Sequence, residues 1–115
     1  MVSIAVGLGS PAYTSERAFT ALNFMHTAIM EGHELRVFLF EDGIFVAKKG
    51  QDPGNFANPL LWLEKVIDAG VDIKYCGTCA KERNLPEDEV VDGVHKGTMA
   101  DFVGMVASSD TSVIF

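Results

Sequence analysis

The chain of 115 residues has little positive charge, with nine Lys and Arg residues against 16 Asp and Glu residues and a formal net charge of −7. Proteins that bind nucleic acid neutralise its phosphate groups with clustered Lys and Arg side chains. The sequence contains no Lys- or Arg-rich run. A nucleic-acid partner is therefore not expected.

Long apolar runs are also missing. The N-terminal stretch reads MVSIAVGLGSPAYT, without a basic region in front of its apolar residues. Its apolar run is too short for a signal peptide and well below the roughly 20 residues that a membrane-spanning helix requires. We therefore expect a cytoplasmic protein with no membrane partner.

Cysteine is scarce as well, because Cys76 and Cys79 are the only two and form a single C-x-x-C motif. A structural disulfide is disfavoured, since cytoplasmic thiols stay reduced. A structural zinc site needs further Cys or His ligands, and His26, His33 and His95 do not have metal-ligand spacing. A zinc site would require two chains, so no metal ion is expected.

What the sequence does have is an ordinary globular composition, with 48% hydrophobic and 22% charged residues. Its length suits one domain over residues 1–115. The Gly-, Pro- and Asn-rich segment 48–59 is predicted to be a surface loop, and 87–97 an acidic, turn-rich segment. Apolar periodicity predicts strands at 2–8, 34–40, 71–75 and 112–115, and helices at 16–31, 60–69, 77–84 and 98–108.

This alternation of strands and helices predicts right-handed βαβ units and a parallel sheet. We expect an α/β fold with a small open sheet of four or five parallel strands, helices on both faces and the first strand in the middle. The functional crevice of such a sheet lies outside the carboxyl ends of its strands. The turn GSPAYT (9–14), after the first strand, and CGTC (76–79), after the third, are then expected to be neighbours.

The position of Cys76 favours a chemical role. It lies where a strand ends and a short helix begins, and backbone N–H groups at a helix start stabilise a thiolate. Lys74, Lys81 and Arg83 are close in the sequence. A thiolate is the nucleophile that attacks another sulfur atom. Alternatively, both cysteines are small buried apolar side chains, as unpaired cysteines often are.

The C-x-x-C motif leaves further interpretations open. A dithiol redox site of the thioredoxin type follows the first strand of a βαβ unit, whereas here the motif follows the third predicted strand. The remaining interpretation is that Cys76 alone accepts sulfur, with Cys79 as an auxiliary residue.

The stretch GLGSPA (7–12) formally fits the dinucleotide fingerprint G-x-G-x-x-A. However, Pro11 delays the following helix, and no acidic residue lies at the expected distance. We interpret the stretch as a tight turn and expect no nucleotide cofactor. Ser10 and Tyr13 are candidate binding residues that line the crevice, with a role in a surface turn as the alternative.

A series of short motifs runs along the whole chain. In order they are GSPAYT, EGHEL, FEDGIFVA, GVDIKYC and ASSDTSVIF, with Arg83 in the short helix after GVDIKYC. With these motifs the chain resembles, from end to end, the DsrE/TusD (DsrE/DsrF-like) family of sulfur-relay proteins. The resemblance implies a compact α/β fold related to that of flavodoxin, and a persulfide on the cysteine just after the third strand, Cys76. It also implies trimers or hexamers of like or related subunits and sulfur transfer to a partner of the DsrC/TusE type.

The chain departs from the family pattern in its short helix. That helix often carries small residues and paired arginines followed by Gly in the family, where this chain has CAKERN (79–84), and Cys79 is an additional cysteine. The sequence thus predicts a sulfur carrier or sulfurtransferase subunit that takes sulfane sulfur from a donor protein onto Cys76 and relays it to an acceptor protein. The alternatives are a non-catalytic assembly or regulatory subunit and a C-x-x-C dithiol redox protein.

The predicted helix 16–31 is apolar on most of its circumference. One face of a small sheet covers a single apolar stripe, so a second stripe, together with Phe45 and Phe56, is expected to form an exposed patch. Closed association of subunits would bury that patch. We therefore expect a homo- or hetero-oligomer.

Overall fold

Five parallel strands form one sheet in the computed structural model, which describes all of residues 1–115. The strands are β1 (Ser3–Leu8), β2 (Glu34–Leu39), β3 (Asp72–Cys76), β4 (Val94–Gly97) and β5 (Thr111–Ile114). The α-helices are α1 (Arg17–Met30), α2 (Pro59–Asp68), α3 (Gly77–Glu82) and α4 (Met99–Ser108). The strand order across the sheet is β4-β3-β2-β1-β5. The expected α/β fold, with a small parallel sheet and helices on both faces, is confirmed.

Helix boundaries follow local capping chemistry. The Asn58 side chain accepts a hydrogen bond from the Leu60 N–H, and Pro59 occupies the first turn of α2, where its missing N–H costs nothing. Thr98 and Asp101 form a reciprocal capping box at the start of α4. Helix α1 begins at Arg17, and its N-cap, Glu16, makes no side-chain capping hydrogen bond.

The two faces of the sheet are covered unequally. On one face, α1 and α2 pack over a cluster of 23 buried residues that includes Val6, Leu22 and Val37. On the other, only α4 covers a cluster of four buried residues, Ala5, Phe38, Phe102 and Met105. We call these the α1 face and the α4 face. The Phe38 and Phe102 rings stack with centroids 5.0 Å apart, which anchors α4 to the central strand.

The broad apolar surface of α1 is covered within the chain. Phe24 packs against Phe115, with ring centroids 5.6 Å apart. Trp62 of α2 lies edge-on to Phe19 at 6.4 Å. The expected second exposed stripe on this helix is therefore wrong, since α2 and the C-terminal residue cover it. Of the two loop residues expected beside that stripe, Phe56 is exposed and Phe45 packs on the core.

Met30, the last residue of α1, and Leu61 of α2 are exposed singly, whereas a stripe of exposed apolar side chains lies on the α4 face. Met99, Val103 and Val106 of α4 are exposed, and their spacing places them on one stripe of the helix. Ile114 of β5 is also exposed and lies on the same face of the sheet, because its side chain is close to where a Gly7 side chain would be.

Two features of the sheet differ from the sequence-based expectation. The central strand is β2, and β1 lies beside the β5 edge. The segment predicted as acidic and turn-rich contains β4, paired in parallel with β3 from Ile73–Val94 to Cys76–Gly97. Its sequence, VHKG, offers one apolar side chain to the core, so no periodic pattern revealed it.

A further element, the 3₁₀ segment Glu41–Ala47, follows β2 and packs beside α2 and α3. Gly43 lies against the carbonyl group of Leu8, where a Cβ atom would collide with backbone.

Among the helices of the structure, none has both the length and the apolarity needed to cross a membrane.

Candidate functional site

Cys76 is the last residue of β3 and the N-cap of α3. Its Sγ accepts a hydrogen bond from the backbone N–H of Cys79 at 3.2 Å. The side chain is half-buried and packs against the apolar cluster of the α4 face. The strand end therefore presents this sulfur to a backbone donor while part of its surface stays accessible.

Cys79 lies in the first turn of α3, and its Sγ accepts a hydrogen bond from the backbone N–H of Glu41 at 3.1 Å. Glu41 has a φ of +48°, in the left-handed region that residues other than Gly rarely adopt. This strained residue starts the 3₁₀ segment after β2. The structure therefore brings a donor to Cys79 from a residue 38 positions away in the sequence.

The two thiols have different electrostatic surroundings. Burial raises the pKa of the Cys79 thiol, and its interaction with the Cys76 thiol raises it further. The Glu41 N–H and the Arg83 charge act in the opposite direction on the same pKa. The fold therefore favours the protonated form of Cys79.

Arg83 is held beside the cysteines by an ion pair. Its Nε donates to Asp42 Oδ1 at 2.8 Å, and its Nη1 donates to the Cys79 carbonyl oxygen at 3.4 Å. Lys74, in contrast, faces Asp101 at 3.7 Å. Of the basic residues noted in the sequence near the C-x-x-C motif, Arg83 is thus the one that acts on a cysteine.

Neither Ser10 nor Tyr13 makes a side-chain hydrogen bond to a cysteine. Tyr13 is exposed, and its hydroxyl donates to Gln51 Oε1 at 2.7 Å on the rim of a shallow depression of about 440 Å³. Ser10 lies in the bend after β1 and makes no side-chain hydrogen bond. Strand β2 separates β1 from β3, and the neighbour of the cysteines is the 3₁₀ segment. The proximity of 9–14 to 76–79 therefore stays a prediction.

A cavity of about 590 Å³ lies beside the C-x-x-C turn, between α3 and the start of α4. Sequence reasoning missed the residues that line it because it did not identify β4. Cys76 pairs with Gly97 in the sheet, which joins the cavity to the strand end. Burial raises the pKa of the Tyr75 hydroxyl, as does the charge of Glu87, while Lys96 lowers it. The polar side chains that line the cavity are Tyr75, Thr78, Lys81, Glu87, Lys96, Thr98 and Asp101.

The histidines are dispersed. His26 Nε2 is 2.8 Å from the Trp62 carbonyl oxygen, and the Val2 N–H donates to His33 Nδ1 at 3.1 Å. His95 is exposed on β4. No group of three or more His, Cys, Asp or Glu side chains within the chain is placed to hold a metal ion.

The chain has relatives of similar length. A family model described as the DsrE/DsrF-like family matches residues 3–115. The uncharacterized protein MK0008 of Methanopyrus kandleri is 45% identical over 112 residues, which span 97% of this chain and 93% of that protein. Sulfurtransferase TusD of Salmonella arizonae is 31% identical over 91 residues, 76% of this chain and 71% of that protein.

Protein YchN of Escherichia coli K12 is 31% identical over 115 residues, which span 97% of each chain. The crystal structure of the E. coli ychN protein covers the whole of both chains with a TM-score of 0.92 and 29% identity.

Proposed function

Since the chain belongs to the DsrE/DsrF-like family, we propose that it is a sulfur carrier or sulfurtransferase subunit in which Cys76 holds sulfane sulfur as a persulfide. A sulfur-relay role is supported at the level of the family, because relatives of this chain include proteins named Sulfurtransferase TusD. The observation that carries the proposal to a residue is the hydrogen bond from the Cys79 N–H to Cys76 Sγ.

The loading step is an exchange at sulfur. The Cys76 thiolate attacks the outer sulfur of a donor persulfide, forms a new S–S bond, and breaks the donor's own S–S bond. The donor leaves as a thiolate, and the sulfane sulfur remains on Cys76. The Cys79 N–H lies where it stabilises negative charge on Cys76 Sγ, whether before loading or when this sulfur becomes the leaving group in transfer.

The unloading step reverses this chemistry on another protein. A thiolate of the acceptor attacks the outer sulfur of the Cys76 persulfide, and Cys76 leaves as a thiolate. Sulfur-donor and sulfur-acceptor proteins are thus the proposed partners, with an acceptor of the DsrC/TusE type. The half-buried position of Cys76 leaves it accessible to a partner's cysteine.

We also propose that copies of the chain associate through the exposed stripe of α4. Met99 and Val103 are each 59% exposed, and Ile114 on the same face is 62% exposed. This surface continues the sparse apolar cluster against which Cys76 packs, and a closed oligomer would cover it.

Mass spectrometry of the intact protein tests the persulfide. After anaerobic incubation with glutathione persulfide and removal of the small molecules, the wild type should gain one sulfur atom that a thiol reductant removes. Cys76→Ser should abolish the gain, whereas Asn23→Ser, which introduces the same side chain on the exposed side of α1, should not. If the wild type neither gains sulfur nor forms a disulfide, the non-catalytic assembly subunit is the better description.

Light scattering tests the association. The wild type should have a mass that is a multiple of 12.5 kDa, consistent with a trimer or a hexamer. Val103→Asp should lower the mass, and Asn23→Asp, an equal charge placed on α1, should not. A monodisperse wild-type mass near 12.5 kDa would contradict association, and dissociation by Asn23→Asp alone would move the interface to α1.

A further inference from the structure

The two cysteines are arranged as a pair at the start of α3. Cys76 occupies the N-cap, and Cys79 lies three residues later in the first helical turn. Each Sγ accepts a different backbone N–H, Cys76 from Cys79 and Cys79 from Glu41. The second of these donors comes from another element, so the fold positions Cys79 independently of Cys76.

The separation of the pair suits a bond between the two sulfurs. Cys76 caps α3 and Cys79 lies in its first turn, and the two thiols interact with each other. A disulfide has Cβ atoms about 3.5–4.5 Å apart. A small closure of the first turn of α3 therefore joins them. Both cysteines are only partly buried, so the turn that joins them is not enclosed in either core.

We propose that Cys79 is a resolving thiol, which attacks the inner sulfur of a Cys76 persulfide and releases hydrogen sulfide. The proposal rests on the proposed loading of Cys76. In the step, the Cys79 thiolate forms a bond to Cys76 Sγ, the bond from Cys76 Sγ to the outer sulfur breaks, and the outer sulfur leaves with the electron pair as hydrosulfide. The proton that Cys79 loses goes to solvent. The sulfane sulfur is reduced, and the two cysteines are oxidised to a disulfide.

The choice of the inner sulfur follows from its position beside Cys79. The Cys79 N–H contacts Cys76 Sγ at 3.2 Å, so this sulfur is held against the residue that attacks it. Attack at the outer sulfur would only move the persulfide to Cys79 and would release no sulfide.

The surroundings of Cys79 set the balance between release of hydrogen sulfide and transfer of sulfur to a partner protein. Its pKa is raised by burial first and by Cys76 second, so at neutral pH little of it is the attacking thiolate. The groups that face it from neighbouring elements are the Glu41 N–H and the Arg83 guanidinium, which is paired with Asp42 and close to Glu82. A partner thiolate therefore has time to collect the sulfur, and release follows when no partner binds.

Turnover requires an external dithiol. It reduces the Cys76–Cys79 disulfide by exchange, returns both cysteines to thiols and becomes a disulfide itself. The overall reaction is then reduction of sulfane sulfur by a dithiol to hydrogen sulfide. A single turnover needs only the loaded protein.

A single-turnover experiment tests the resolving role. The wild type, Cys79→Ser and Cys79→Ala are loaded anaerobically with glutathione persulfide and desalted, and released sulfide and intact mass are followed over time. The wild type should release one sulfide per loaded chain and end as the disulfide, lighter than the dithiol form by two hydrogens. Both variants should retain the persulfide about tenfold longer or more, and a thermal melt shows whether they are folded.

The outcomes separate this inference from the proposed function. If the wild type keeps its persulfide as long as the variants do and releases no sulfide, Cys79 is not a resolving thiol, while sulfur carriage by Cys76 stands. If peptide mapping finds the sulfane sulfur moved to Cys79, attack at the inner sulfur is wrong. If no variant takes up sulfur, the proposed function itself fails. Serine and alanine variants that differ in persulfide lifetime would point to a hydrogen-bonding role for Cys79.

Discussion

The two faces of the sheet bury very different amounts of apolar surface. The α1 face has two helices and the 3₁₀ segment Glu41–Ala47 over a 23-residue cluster, and the α4 face has one helix over a four-residue cluster. The α1 face supplies most of the free energy of folding, because that free energy follows the apolar area removed from water. The α4 face carries the exposed stripe and one side of the candidate site.

This difference explains where the two cysteines point. Cys79 packs on the cluster of the α1 face, and Cys76 packs on the cluster of the α4 face. One thiol is therefore anchored to the rigid side of the molecule, and the other lies on the sparsely covered side. A sulfur that must meet another protein is expected on the latter, where fewer side chains exclude a partner.

The largest expected effect is on the α1 face. Leu22→Ala should lower the free energy of unfolding by about 3 kcal/mol, because Leu22 is fully buried and its truncation leaves a cavity. Val103→Ala, on the exposed stripe of α4, should change it by less than about 0.5 kcal/mol. Urea unfolding at one protein concentration measures the free energy of unfolding of both variants. Equal losses of that free energy would mean that the two faces contribute equally to stability, or that association buries Val103.

An intermediate effect is expected where the 3₁₀ segment meets β1. Gly43→Ala should destabilise the protein by about 1–3 kcal/mol, because its Cβ would press on the Leu8 carbonyl group in a packed site. The displaced segment also carries the Glu41 N–H that binds Cys79, so the alkylation rate of Cys79 should change too. Gly104→Ala is the matched control, since no atom lies near its added Cβ. If Gly43→Ala is destabilised but the alkylation rate of Cys79 is unchanged, the packing of Gly43 does not control the position of the Glu41 N–H.

The smallest effect is expected when Asp101 of α4 is replaced and the stability of the protein is measured in acid. The Thr98 N–H is the main cause of the lowered pKa of Asp101, with Lys74 adding to it. A lowered folded-state pKa means that Asp101 stabilises the protein above its unfolded pKa of about 3.9, and that this stability is lost as the pH falls through the folded-state value. Asp101→Asn should therefore weaken the fall in melting temperature below about pH 4.

Asp110 provides the comparison for this acid dependence. Its pKa is lowered chiefly by the Ser3 N–H, which ties the start of β5 to the start of β1. Asp110→Asn should weaken the acid dependence in the same direction and additively, because the two carboxylates lie in separate networks. If Asp101→Asn leaves the acid dependence unchanged, the capping box does not titrate as the geometry predicts.

The elements with strong local signals were predictable from the sequence. The continuous apolar run of β1 and the glycines that end α1 and α2 gave boundaries within one or two residues of the structure. The position of Cys76 was predictable for the same reason, because it follows directly on the β3 pattern. The short strand β4 and the 3₁₀ segment were missed, since neither has enough apolar residues to make a period.

What the sequence alone determined is therefore the set of long elements, the α/β class and the cysteine at the end of β3, all of which follow from local apolar patterns. Tertiary structure alone decided the strand order, which places β2 between β1 and β3. Tertiary structure also left one stripe of α4 exposed. It also brought the backbone N–H of Glu41 to the Sγ of Cys79. These depend on pairing and packing between residues far apart in the chain, where many arrangements satisfy the same local pattern and only the total burial selects one.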